Sequence, residues 1–95
     1  MIIIEKLDGR HSGRSLWSHR AWIRGADKAY DFHQIRTECW STFGPACSRD
    51  DVWPIRKVDP MFSPDWCWHH DWRNNAYYLY FKGTHPMASW ILLKS

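Results

Sequence analysis

A chain of 95 residues has room for one domain (1–95), and at this size it buries roughly 65% of its unfolded surface, enough for a core without staples. Leu, Ile, Val and Phe total only 18, a level near the disorder threshold, but eight Trp and four Tyr, each able to bury roughly 150–250 Å², restore a folded domain with an aromatic core. No apolar run approaches the roughly 18–20 residues of a bilayer span, and Met1-Ile2-Ile3-Ile4 meets Glu5 and Lys6 at once, so the expectation is neither a membrane protein nor a signal peptide.

Ile2 to Leu7 reads as a short strand, closed by the turn-rich Asp8-Gly9-Arg10-His11-Ser12-Gly13. Leu16 to Arg24 reads as a second strand, antiparallel to the first, with Trp17, His19, Ala21 and Ile23 on one face and Arg20, Trp22 and Arg24 on the other. The whole net charge of +3 resides in residues 1–25, while 26–95 are balanced. A basic quarter of this kind either guards a sheet edge or attracts an acidic partner.

Ala26 to Phe43 has helical spacing: Ala26, Ala29, Phe32, Ile35, Cys39, Trp40 and Phe43 fall in one half of the wheel, and Gly44-Pro45 stops the helix. His33 and Arg36 lie in that apolar half, where long polar side chains snorkel or pair, and no function is assigned to them. Ala46 to Asp65, preceded by Pro45 and punctuated by Pro54, Pro60 and Pro64, reads as an irregular crossover, with an edge strand expected at Val52–Lys57. Trp66 to Lys82 reads as a hairpin turning on Asn74-Asn75, whose register sets Trp72 opposite Tyr77, His70 opposite Leu79 and Trp68 opposite Phe81. Thr84 caps a short helical turn, and Trp90-Ile91-Leu92-Leu93 ends the chain as a buried strand. The expected fold is α+β: an antiparallel sheet with a C-terminal aromatic hairpin and one long amphipathic helix packed on one face.

The helix end Cys39-Trp40-Ser41-Thr42-Phe43-Gly44, together with Tyr80-Phe81-Lys82 and Ala88-Ser89-Trp90-Ile91-Leu92-Leu93-Lys94, resembles small accessory proteins of tailed bacteriophages. Those proteins share an aromatic-Gly helix corner and an aromatic strand that leads through a helical turn to a final strand ending in a basic residue. The pattern covers about a third of the chain and departs from the family where Met87 stands in place of an acidic residue. What the resemblance implies is a small, cytoplasmic, phage-encoded protein of the host-takeover type that acts by binding. The family has no general activity, so no site residue transfers from it.

Among the residues that could carry chemistry, Cys39, Cys47, Cys67, His69 and His70 lack the spacing of a zinc site, and three reduced thiols are expected instead, without a metal or cofactor. His69 and Asp71 share a strand face beside Arg73, which opens the reading of a small metal-independent nuclease. Side chains two apart on a strand lie about 6–7 Å from each other, long for an orienting hydrogen bond. His69, Arg73, Tyr78, Tyr80 and Lys82 on one sheet face would form a stacking platform for RNA or single-stranded nucleic acid, lacking phosphate contacts unless the N-terminal arginines adjoin it. The leading expectation is a non-enzymatic protein-binding module that blocks a host enzyme or defence component. Its contact residues are Arg20, Trp22, Arg24 and Trp53, of the types that dominate interface hot spots.

Overall fold

The computed structural model describes residues 1–7, 17–48 and 65–95. In chain order the elements are β1 (Ile2–Lys6), β2 (His19–Ile23), α1 (Lys28–Phe43), β3 (Trp66–Asp71), β4 (Ala76–Phe81) and α2 (Pro86–Lys94). The strands form one antiparallel sheet in the order β1-β2-β4-β3, so the fold is α+β as the patterning requires. The edge strand expected at Val52–Lys57, the turn Asp8–Gly13 and Trp53 lie outside the described residues.

Strict alternation gives the sheet two unlike faces. Ile2, Ile4, Ala21, Ile23, Tyr77, Leu79, Phe81, Trp66 and Trp68 share the face that both helices cover, where Phe32, Cys39, Met87 and Ile91 complete the main core. Phe32 reaches into the middle of that face, its ring 4.9 Å from Tyr77 and 6.5 Å from Trp68. The helix ends where Gly-Pro predicts: Gly44 sits at φ 96°, and its N–H closes on the Trp40 carbonyl. From there the chain runs along the outer edge of β3. The indole N–H groups of Trp66 and Trp68 donate to the Gly44 and Ala46 carbonyls at 3.2 and 3.1 Å, and the Trp68 backbone N–H donates to Cys47. These bonds satisfy both indoles and cover the edge of β3 at Trp68.

Three expectations are corrected. The hairpin pairs Trp66 with Phe81, Trp68 with Leu79 and His70 with Tyr77, two residues from the expected register. The parity, and with it each residue's face, is retained. The cause is Asp71, whose carboxylate accepts from the N–H groups of Arg73 and Asn74 and from the Asn74 amide, closing a four-residue turn over 72–75 with Asn75 at φ 50°. Trp72 is therefore in the turn and 75% exposed instead of on the covered face.

Second, Trp90–Leu93 belongs to a helix. His85, rather than Thr84, caps it through Nδ1 to the Met87 N–H, and Pro86 takes the first turn, where its missing N–H costs nothing. Third, Trp17 precedes β2 and turns to the opposite side of the sheet, joining Leu7, Cys67 and Tyr80 in a second buried cluster. Its neighbour Ser18 hydrogen-bonds the His19 ring and the Gly83 N–H, both at 2.7 Å, and a Cβ on Gly83 would lie 2.7 Å from the His19 ring. A side chain at this position would force the His19 ring to shift.

Cys39 is fully buried beneath the helices, and burial pushes its thiol up to about 12. The folded state thus holds this proton more tightly than the unfolded state. The associated stability is intact below about pH 9 and is lost as pH climbs toward 12. At neutral pH, iodoacetamide should leave Cys39 unmodified until urea unfolds the domain, a result read directly by peptide mass spectrometry. Rapid alkylation of the native protein at Cys39 would show that the helices do not seal it.

Candidate interaction face

The face of the sheet away from the helices is built in rows, because paired residues on neighbouring strands project to the same side. One row crosses all four strands: Ile3 of β1 opposes Trp22 of β2, Trp22 opposes Tyr78 of β4, and Tyr78 opposes His69 of β3. The rings follow in sequence, with Trp22 and Tyr78 6.1 Å apart and His69 stacked on Tyr78 at 6.4 Å. The next row is Glu5, Arg20, Tyr80 and Cys67.

Two guanidiniums sit on this aromatic line. Arg24 lies over the Trp22 ring and Arg20 over the Tyr78 ring, each 4.4 Å from the centroid. Arg20 is further held by its hydrogen bond to the Glu5 carboxylate. Burial pulls the pKa of Arg20 down, hydrogen bonds to Glu5 and Tyr80 push it up, and the net effect is upward, so its charge is permanent. Arg24 is exposed and has no ion-pair partner among the described residues.

The expected site residues thus sort by position. Arg20, Trp22 and Arg24 come together, and because β2 pairs with β4 they adjoin Tyr78 and His69, a contact that the sequence leaves open. Tyr80 differs from expectation: it is 2% exposed and packs against Trp17 at 5.7 Å, so it has no free face. Arg73 and Lys82 fall at opposite ends of the hairpin, Arg73 in the turn and Lys82 paired with Asp65 at 3.2 Å. Trp53 lies outside the described residues.

Asp71 shares the face with His69, but its oxygens are engaged by the turn, chiefly by the Asn74 amide, and those bonds hold its carboxyl below the usual range. It serves the hairpin more directly than it serves His69. Among the described residues no three His, Cys, Asp or Glu side chains converge as a metal site would require, and no helix is long and apolar enough to cross a membrane. Comparison with protein families, curated proteins and solved structures finds no match to this chain.

Sequence reasoning missed the continuity of the row. Each strand's alternation is visible in the sequence, but the pairing of β2 with β4, separated by a helix and a crossover, is not.

Proposed function

We propose that the protein is a non-enzymatic protein-binding module whose contact surface is centred on Trp22, with Arg20, Arg24 and Tyr78 around it. The observation that carries this reading is the seating of two guanidiniums over adjacent, partly exposed aromatic rings on the sheet face away from the helices. Such stacking orders an arginine at little further entropy cost and leaves its N–H groups to meet a carboxylate. Trp, Tyr and Arg are also the residues that contribute most when an interface desolvates. The complementary partner is a protein surface bearing carboxylates, with Arg24 as the guanidinium that receives one. The resemblance to small phage accessory proteins extends the proposal to an inhibitor that occupies the surface of a host enzyme or defence component in the bacterial cytoplasm.

One observation favours a second reading, a module for RNA or single-stranded nucleic acid: β2 does adjoin the tyrosine-bearing strand, placing Arg20 and Arg24 beside Tyr78 and His69. Two others weigh against it. Tyr80 is buried, and Arg20 covers one face of Tyr78 that a base would stack upon.

Tagged protein in a bacterial lysate is expected to retain one dominant protein partner through nuclease treatment and moderate salt. Trp22→Ala and Arg24→Ala are the test variants. Trp22→Ala should weaken that complex at least about 30-fold, a loss of about 2 kcal/mol or more, with the far-UV spectrum unchanged. Capture that nuclease abolishes and that falls steeply with salt would assign the face to nucleic acid instead.

A further inference from the structure

The two edges of the sheet are treated differently. Along β3, the outward N–H of Trp68 is bonded to Cys47, and Ser48 bridges the same residue. Along β1, Met1 and Arg24 exchange backbone hydrogen bonds, and the Leu7 N–H donates to Ser18. In an antiparallel ladder such pairs recur at every second residue, so Met1, Ile3, Glu5 and Leu7 point their backbone groups at β2. The N–H and C=O groups of Ile2, Ile4 and Lys6 then point away from the sheet, and among the described residues none pairs with them. This edge has three isoleucines, no proline and a single lysine, a template that soluble proteins ordinarily obstruct.

We propose that β1 is a dimerisation edge at which two copies of this chain pair antiparallel about a two-fold axis at Ile4. In that register Ile4 opposes Ile4 of the second copy, and Ile2 opposes Lys6 in both directions. The three outward residues of each strand make about six hydrogen bonds, and the two sheets join into one of eight strands. Registers one step either side lose a pair, and one of them sets Glu5 directly against its own copy.

Charge complementarity selects a second copy as the occupant. Lys6 projects on the helix-covered side of the sheet, opposite His19, and has no ion-pair partner among the described residues. At the other end of the same strand, on the same side, Ile2 lines a cavity of about 260 Å³ that also contains Asp31 and Glu38 of α1. Glu38 is paired with Lys94 at 3.1 Å, whereas the Asp31 carboxylate has no ion-pair partner among the described residues. With strands about 4.8 Å apart, pairing about Ile4 sets Lys6 of each copy beside Ile2 of the other, on the side of the sheet where the Asp31 carboxylate lines the cavity while Glu38 is already offset by Lys94. The arrangement also puts both Trp22 faces on one side of the joined sheet, without depending on what that face binds.

Sedimentation equilibrium with increasing protein concentration tests this directly. Wild type is expected to approach about twice the 11.5 kDa chain mass. Ile4→Pro removes an N–H that points away from β2, so the monomer should keep its fold and circular dichroism while dimerisation is lost. Lys6→Glu, which leaves the backbone untouched, should raise the dissociation constant at least about tenfold, and adding Asp31→Lys should restore it. A wild-type protein that remains at the mass of one chain at the highest concentration reached overturns the proposal. So does a dimer that both Ile4→Pro and Lys6→Glu leave intact.

Discussion

Trp66→Ala is expected to destabilise the domain by about 3–5 kcal/mol in urea unfolding, whereas Trp72→Ala, six residues along, should stay within about 0.5 kcal/mol of wild type. Trp66 is 1% exposed, opposes Phe81 across the hairpin and belongs to the main core. Truncation removes its transfer free energy, leaves a cavity the size of an indole, and deprives the Gly44 carbonyl of its donor where the chain leaves α1. Trp72 is in the turn, with Arg73 over its ring at 5.8 Å, and has little surface to lose from burial. The comparison discriminates between two hairpins. A two-residue turn at Asn74-Asn75 would place Trp72 on the covered face opposite Tyr77 and make both substitutions costly. Equal losses would therefore restore that register and displace the four-residue turn held by Asp71.

Much of this architecture is legible in the sequence because local periodicity dictates it. The sixteen-residue α1 starts two residues later than its apolar spacing predicts and stops at Gly44 as predicted. Both hairpin strands alternate strongly enough that the faces survive a two-residue slip, since a shift by an even number returns each side chain to its own side. The slip arises from turn chemistry. Asn74-Asn75 suits a two-residue turn, and only the position of the Asp71 oxygens reveals the competing one. Arg36 behaves as its place on the wheel implies, lying over Trp68 at 4.6 Å with its stem along the apolar surface.

The candidate face was legible strand by strand: alternation puts Arg20 and Trp22 on one side of β2, and His69 and Tyr78 on one side of the hairpin. That these form one surface follows from β2 pairing with β4, a contact of long sequence separation that no local pattern encodes. The burial of Tyr80 was hidden for the same reason. It depends on Trp17 and Leu7 folding toward the same side from the N-terminal strands.

The C-terminal segment gives the sharpest remaining test, because a strand and a helix make opposite demands on residues two apart. Four consecutive apolar residues, Trp90 to Leu93, carry no period of their own, so burial alone is compatible with either form. In a strand, Ile91 and Leu93 would share a face and be buried together. In α2, Ile91 follows Met87 by four positions, and both are fully buried, whereas Leu92 is 61% and Leu93 87% exposed. Trp90 turns instead toward Phe43, at 6.1 Å edge to face, and Lys94 reaches Glu38 of α1, so three successive sides of the helix have distinct neighbours. Ile91→Ala should accordingly cost about 2–5 kcal/mol, with Leu93→Ala close to neutral. Urea melts of the two variants decide the matter. If Leu93→Ala costs as much as Ile91→Ala, the chain ends as a strand, α2 is lost, and Met87 no longer has the neighbour four residues on that closes the core over Leu79 and Phe81.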